Sequence, residues 1–518
     1  MDFLQDTPVL VLGLGESGLA MARWAARTGA QVQVWDSRET PPNAAALREQ
    51  VPSATLFGGA LDAASFESAT VVLKSPGLAA GDSRISPFLT AALARGARVS
   101  NELDLFVQAL ADLRASRDYA PKIVAITGTN GKTTTTAMAS QLIERTGLRV
   151  AMAGNIGPTM LQTLADALDA DALPEVWVLE LSSFQLDGVE GFEPSAATIL
   201  NITQDHLDWH GSMAAYAAAK GRVFGARAVM VVNRDDPAVE QLAQERAVRP
   251  APKAVRGKTP RVVERRIVRF GLTPPQVAGD FGLSVENGMA WLVRAMPVDE
   301  TVKRSPRAGA SAAPAEDIVV QRLMPADALR VRGRHNAANA LAALALATAI
   351  GCPLAPMLHG LREYGGEPHR VEHIATLDGV DAFDDSKGTN VGATVAALRG
   401  LGDDKAPAKL VVILGGDGKG QDFGPLVEPV RRHVRAVATI GRDAAAIEAV
   451  LAPTGVALER HASLEAATRW CFGQARRGDA VLLSPACASL DMFRNYGHRA
   501  EVFVAEVQAI AAEHGVVA

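Results

Sequence analysis

"VAITGTNGKTTTT", residues 124–136, decides how the middle of this chain folds. A run of β-branched residues leads into a glycine-bounded loop, and a lysine followed by four threonines opens a helix-like stretch. Backbone N–H groups of such a loop, together with the positive end of the helix dipole, form a nest for anions. Lys132 is placed to reach terminal phosphates, and the Thr133 hydroxyl to bind a magnesium ion. The common Gly-x-x-x-x-Gly-Lys loop needs a glycine at position 126, where Ile126 stands. The shorter Gly128-Thr129-Asn130-Gly131-Lys132-Thr133 spacing marks a subclass.

A magnesium nucleotide needs an acid at a neighbouring strand end. "EVWVLELSSFQL" supplies Glu180 at the end of a strongly apolar run, where a buried carboxylate is costly without a cation beside it. Further on, "ILNITQDHLDWHG" clusters Asp205, His206 and Asp208 after another strand-like run. From the residues alone His206 is a metal ligand or a core or surface histidine. Lys220 in "YAAAKGRVF" reads as an ordinary helix lysine.

Upstream, "TPVLVLGLGESGLAMARWAARTG" (7–29) places Gly13, Gly15 and Gly18 between an apolar run and a helical pattern, and Asp36 ends the next run, "AQVQVWD". This is the fingerprint of a dinucleotide-binding βαβ unit, with a helix N-terminus facing a diphosphate. A dehydrogenase is the rival reading. It leaves the second glycine loop, Glu180 and the His206 cluster without work.

The bulk properties fit an enzyme of several domains. The chain has 518 residues, 48% hydrophobic and 21% charged, so two to four domains with sizeable cores are expected. A net charge of −5 gives no general pull toward nucleic acid or anionic membranes. The three cysteines, Cys352, Cys471 and Cys487, are far apart and lack metal-ligand spacing, which suits reduced thiols in the cytoplasm. "MDFLQDTPVL" has no basic stretch leading into an apolar one, so no signal peptide is expected. No apolar run reaches the ~18–20 residues that span a bilayer.

Strand-like runs alternate with amphipathic stretches along most of the chain, which predicts α/β units with parallel sheets covered by helices. VLVLGL, QVQVWD, TVVLKS and ARVSN build the first unit, and "RASRDYAPK" reads as a linker. The second unit ends near "FGLSVENGMAWLV", a predicted hairpin with Asn287-Gly288 in a type I′ turn. The third begins near "EPHRVEHIATLDGV" and repeats the pattern in KLVVILGG, AVATIG and DAVLLSPA. Two segments fit none of this: 247–266, basic and Pro-containing, and 294–317, rich in Pro, Ala and Ser. Both read as surface excursions, mobile in part. The first lacks the aromatic residues of a nucleic-acid surface.

Taken in order, "GTNGKTT", Glu180, "NITQDHLDWHG", "YAAAKGRVF", "GRHNAANALAALA" and "PHRVE" resemble the Mur ligases, ATP-dependent amide-forming enzymes of peptidoglycan precursor synthesis. The resemblance spans essentially the whole chain. It implies three domains: a Rossmann-like unit over 1–107 for a UDP-tagged substrate, a P-loop-type ATPase unit over 108–366, and a Rossmann-like amino-acid unit over 367–518. "ELSSFQL", "DDSKGTN" and "LLSPACASLDMF" narrow it to the branch that joins D-glutamate to UDP-N-acetylmuramoyl-L-alanine.

The implied chemistry is phosphorylation of the substrate carboxylate by ATP, then attack of the glutamate amine on the acyl phosphate through a tetrahedral intermediate. The resemblance assigns ATP to Gly128, Thr129, Asn130, Gly131, Lys132, Thr133 and Thr134, with Asn336 and Asn339 near the adenine, Asp385 on the ribose and Arg370 on phosphate. Two magnesium ions are implied: Thr133 and Glu180 hold the first, and His206 and Lys220 the second, the lysine as a carbamate. CO₂ addition turns that cation into an anion able to bind a metal. Lys132, Glu180, His206, Lys220 and His369 are the implied catalytic set. The UDP-substrate falls to Gly15, Ser17, Asp36, Ser37, Arg38, Ser75, Gly77 and Asn155. D-Glutamate falls to Lys387, Thr389, Lys419, Ser489 and Tyr496, the last standing where the pattern has phenylalanine. A cytoplasmic monomer without nucleic-acid or membrane partners is expected.

Overall fold

The computed structural model describes residues 4–61, 66–250, 262–298, 317–331, 333–405 and 408–514. In the first unit the apolar runs form β1 (Pro8–Leu12), β2 (Gln31–Asp36), β3 (Thr55–Gly58), β4 (Val71–Lys74) and β5 (Arg98–Ser100). They pair in parallel in the order β3-β2-β1-β4-β5. The order reverses at β1, so the loops after β1 and β4 open into one crevice, where such sheets bind ligands. The helix Glu16–Arg27 starts directly above it. A Cβ on Gly18 would lie 1.9 Å from the Gly13 carbonyl oxygen, so only glycine lets this helix pack so close.

The helix Glu102–Arg117 runs through position 107 and takes in Arg114–Arg117, the first residues of the expected linker. Asn101 caps it, accepting from the N–H groups of Leu103 and Asp104, while Asp104 reaches back to the Asn101 N–H. It ends only at Asp118, which is left-handed at φ +53. Its buried face carries Leu103, Phe106 and Leu110 into a core that also holds Trp24 of the first unit and Trp177 of the second. Phe106 meets Trp177 edge-on with centroids 4.9 Å apart. Each such large apolar side chain contributes about 1.5–3 kcal/mol on burial, which ties the first two units together.

The second unit builds β6 (Lys122–Thr127), β7 (Val150–Gly154), β8 (Val176–Glu180), β9 (Ala196–Ile199) and β10 (Val229–Asn233). A short antiparallel pair follows, β11 (Val248–Pro250) with β12 (Val262–Glu264), and then β13 (Ile267–Phe270). The main sheet is parallel with order β13-β10-β9-β6-β8-β7. Because β6 lies between β8 and β9, the phosphate loop, Glu180 and the segment toward His206 leave the sheet side by side. On the other face the helix Arg334–Ala349, almost wholly buried, packs against the helix Lys132–Glu144. The predicted hairpin is present as β14 (Phe281–Glu286) and β15 (Met289–Pro297), with φ +51 at Asn287 and +79 at Gly288. A third strand, β16 (Ile318–Pro325), pairs with β15, so 294–297 belong to a sheet and not to an excursion. Likewise β11 and β12 occupy the ends of 247–266. The remainder of both excursions, 251–261 and 299–316, lies outside the described residues.

The stretch 364–371 leads into the third unit: β17 (Glu372–Leu377), β18 (Val380–Asp384), β19 (Leu410–Gly415), β20 (Val434–Ile440), β21 (Ala457–Arg460) and β22 (Ala480–Leu483). Their order is β17-β18-β22-β19-β20-β21, parallel except for the antiparallel edge pair β17–β18. The three-unit α/β architecture is the one the sequence predicts. Among the described residues no helix is long and apolar enough to cross a membrane.

Candidate active site

The phosphate loop follows β6 and is held from β9. Thr129 N–H donates to the Asn201 carbonyl at 2.9 Å, and Asn130 N–H to the Asn201 side-chain oxygen at 2.8 Å. The Thr129 hydroxyl lies 3.1 Å from the Thr203 carbonyl and 3.0 Å from the Tyr216 hydroxyl, so this residue shapes the loop. Gly131 adopts φ +81, and a Cβ there would come 2.7 Å from the Asn339 side-chain oxygen. Lys132 folds back on the loop, donating to the carbonyls of Gly128 and Thr129 at 2.9 Å each. Burial lowers the pKa of its ammonium, against the pull of Glu180. Thr133 and Thr134 are both buried on the first helical turn.

Glu180 ends β8 opposite Ile126, two residues before the loop. It is 3% exposed; Oε1 accepts from Asn155 Nδ2 at 3.0 Å, while buried Oε2 has no partner. Lys220 is 1% exposed and donates to the Gly128 carbonyl at 2.8 Å, with its ammonium 4.6 Å from the Tyr216 ring centre. Burial first, then Lys132, drives its pKa well below the ordinary lysine value. Burial of this kind favours the neutral form of an amine over its ammonium. His206 turns left-handed at φ +53, which sets its ring edge-on to Phe184 at 4.6 Å and its Nε2 3.5 Å from Asp205. Burial lowers its pKa against Asp205, and Lys419 of the third unit pushes the same way as burial. The partnerless Glu180 carboxylate oxygen and the Thr133 hydroxyl are oxygen donors of the kind that suit magnesium.

Two cavities lead toward this point from the first unit. One, of 370 Å³, is lined by Gly15, Ser17, Asp36, Ser37, Arg38, Ser75 and Gly77, all expected for the UDP-substrate. The other, of 440 Å³, shares Ser17 and Pro76 with it and runs to Asn155, the remaining expected residue. Asn155 in turn holds Glu180, so the pair of cavities ends beside the phosphate loop. Asp36 acts differently from a free ligand. Its Oδ2 accepts from Leu14 N–H at 2.7 Å and from Arg38 Nη2 at 2.6 Å, and its Oδ1 from Arg38 N–H and Nε. The carboxylate is saturated by the loop it shapes.

The third unit closes the site from the hinge. Arg370 donates to the Thr133 hydroxyl at 2.7 Å, across 237 positions of chain. A cavity of 950 Å³ opens between the units, lined by Asn336, Gly366, Arg370, Phe383 and others. Asn339 donates to Asn336 at 3.2 Å, both buried. Asp385 is not among the lining residues of that cavity. It accepts from the Ser484 hydroxyl at 2.6 Å, and burial pushes its pKa up to about 7. His369 Nδ1 lies 2.7 Å from Asp384 Oδ2. The Lys387 ammonium stands 5.4 Å from the centre of the Tyr496 ring, and burial, then Arg370, lowers its pKa to about 8. Thr389 lies two residues on and is half-buried. Lys419 takes φ +51 with its N–H on Asp417, Ser489 is buried, and Tyr496 opens the last helix at 38% exposure.

Several residues of this centre escaped the sequence reading: Asn201, Tyr216, Asp384, Asn390, Ser484 and Arg499. Asn390 donates to Asn130 of the phosphate loop at 3.0 Å. Arg499, fully buried, binds the Ser386 carbonyl and hydroxyl and the Cys487 carbonyl, fastening "DDSKGTN" to "SPACASLD". Asp384 carried a visible hint, a polar residue closing a strand as Glu180 does, and Asn201 follows the end of β9 by two residues.

Models of three families match consecutive parts of the chain: the Mur ligase MurD-like N-terminal domain over 7–100, the Mur ligase middle domain over 126–265, and the Mur ligase glutamate ligase domain over 369–487. A UDP-N-acetylmuramoylalanine--D-glutamate ligase of Albidiferax ferrireducens is 57% identical over 99% of this chain and 98% of its own length. One of the same name from Burkholderia mallei is 60% identical over the same shares. Two solved structures share the fold. The UDP-N-acetylmuramate-alanine ligase of Thermotoga maritima has TM-score 0.54 at 19% identity, covering 97% of this chain and 99% of that one. The MurF ligase of Thermotoga maritima in complex with ADP has TM-score 0.55 at 16% identity, covering 98% and 97%. From its first strand to its last helix, the chain belongs to the Mur ligase family.

Proposed function

We propose that the chain catalyses ATP-dependent ligation of D-glutamate to UDP-N-acetylmuramoyl-L-alanine in peptidoglycan precursor synthesis, as a cytoplasmic monomer. One observation of the geometry carries the reading: the cavities of the first unit, the phosphate loop and Arg370 of the hinge converge on Glu180, whose Oε2 has no partner. A substrate whose diphosphate sits at the helix N-terminus above Gly15 and Ser17 extends past Asn155 and brings its carboxylate there.

Phosphoryl transfer rests on positioning and charge neutralisation. Lys132 and Arg370 leave their present oxygen partners for the β- and γ-phosphates, and Asn336 and Asn339 face the adenine. Thr133 and Glu180 would hold one magnesium ion, and His206 with carbamylated Lys220 a second; magnesium supplies charge neutralisation at the phosphates. Asp385, buried against Ser484, reaches the ribose only if the hinge cavity closes. The carboxylate attacks in line and ADP leaves. D-Glutamate is held by Lys387, Thr389, Lys419 and Ser489, cations and hydroxyls suited to two carboxylates, with the Tyr496 ring facing Lys387. Its amine adds to the acyl carbon beside His369, and phosphate departs from the tetrahedral intermediate.

ADP release tests this reading. It is expected to need UDP-N-acetylmuramoyl-L-alanine and D-glutamate together for sustained turnover. Steady ADP formation with either absent would overturn it.

A further inference from the structure

Asp384 precedes Asp385 and has no part in the assignments above. It is completely buried at the end of β18. Its Oδ2 lies 2.7 Å from His369 Nδ1, and its Oδ1 accepts the Ser386 N–H at 2.8 Å. Ser386 is itself fixed: its hydroxyl donates to the Tyr496 carbonyl at 2.8 Å, and Arg499 donates to both of its oxygens. The carboxylate therefore has no freedom to swing. His369 is held by its backbone as well, at φ +63, with its N–H on Glu372 at 2.9 Å and its carbonyl accepting from Lys387 N–H at 3.3 Å.

With Nδ1 bound to Asp384, the working face of His369 is Nε2. The ring stands edge-on to Tyr496, centroids 6.1 Å apart, and the next residue, Arg370, reaches the phosphate loop. His369 thus lies between the glutamate residues and the phosphates. An acid bonded to one imidazole nitrogen fixes the tautomer and orientation that the other presents.

We propose that Asp384 is a positioning residue, which keeps the Nδ1 proton of His369 on its own side so that Nε2 offers a lone pair to the incoming glutamate amine. This rests on the D-glutamate reading above. The glutamate ammonium gives one proton to Nε2, and the freed lone pair forms the C–N bond. The C–O bond to phosphate then breaks, and the second proton leaves the nitrogen with the departing phosphate. Around the imidazole, Asp384 and Glu372 supply negative charge and Arg370 and Lys387 positive charge, with Asp385 and Arg499 behind Asp384.

The test compares two acceptors in Asp384→Asn. D-Glutamate arrives as an ammonium and needs a base; hydroxylamine is neutral at pH 7 and does not. D-Glutamate ligation is expected to fall about 100-fold in kcat, with its KM changed less than about threefold. Hydroxamate formation from the same acyl phosphate is expected to stay within about threefold of the parent. His369→Gln should give the same pattern, and the double variant should add nothing further. An equal fall with both acceptors, or no fall with D-glutamate, overturns the proposal. If Asp384→Asn does not fold, His369→Gln carries the same comparison, since its side chain is half-exposed. A parent protein that forms hydroxamate but ignores D-glutamate would instead refute the substrate reading.

Discussion

Asp36→Asn keeps the shape of the side chain and inverts part of its chemistry. Four N–H groups converge on this buried carboxylate, two on each oxygen. Burial pushes its pKa up, but the Arg38 guanidinium and the N–H groups of Leu14 and Arg38 outweigh burial and hold it at about 2, against an ordinary 3.8. That difference corresponds to about 2 kcal/mol of stability while the group is ionised. Asparagine replaces one oxygen by an NH₂ that faces donors, so the Leu14 N–H or the Arg38 fork loses its acceptor, at a cost of about 1–3 kcal/mol. We expect the first unit to lose about 3 kcal/mol near neutral pH.

The sign of the pH dependence follows. Because the folded pKa lies below the unfolded one, the charge contribution is complete above about pH 5 and is lost as pH falls through about 2. The gap between parent and variant should therefore narrow in acid. Hydrogen exchange at the Leu14 amide reads the local effect, which a single melting curve of a three-unit chain does not isolate. In the kinetics, KM for the UDP-substrate should rise while KM for ATP stays unchanged. Unaltered Leu14 exchange, or a stability gap as large at pH 3 as at pH 7, would refute the clamp.

Three further substitutions probe the centre. Lys132→Ala should abolish acyl-phosphate formation; retained phosphoryl transfer in a direct ADP assay would take the phosphate loop out of the mechanism. Lys220→Ala should inactivate, with partial recovery in added short-chain carboxylic acids if a carbamate is the missing ligand; full activity without additives would exclude that role. Tyr496→Phe keeps the ring that faces Lys387 and removes only the hydroxyl, so KM for D-glutamate should change less than about threefold. A tenfold rise would place the hydroxyl on the substrate.

The features legible in the sequence are those that local chemistry enforces. The runs of β1, β6, β8 and β19 are buried on both faces and read as continuous apolar stretches. Glu180 was visible because it ends one of them. The strands β3 and β21 are four residues long with mostly exposed or half-buried side chains, so neither alternation nor an apolar run announces them. The helix Glu102–Arg117 carries its charged end, "RASR", into what composition alone marks as a linker; the capping box at Asn101 and the shared core set its length. Contacts between units were not legible. Arg370 on Thr133 and Asn390 on Asn130 depend on how the third unit and the hinge sit against the phosphate loop, and no spacing along the chain encodes that. Asp36 shows the converse: its position in the fingerprint was plain, but its saturation by four N–H groups was not.

The most direct test of the account is an amino-acid panel with ATP and UDP-N-acetylmuramoyl-L-alanine, scored by the ligation product. The account predicts product with D-glutamate at least about 100-fold above L-glutamate, glycine and L-alanine, because lysine and hydroxyl partners left unpaired by a missing or misplaced carboxylate penalise the others. Equal yields across the panel, or a preference for an amino acid without a side-chain carboxylate, would contradict it.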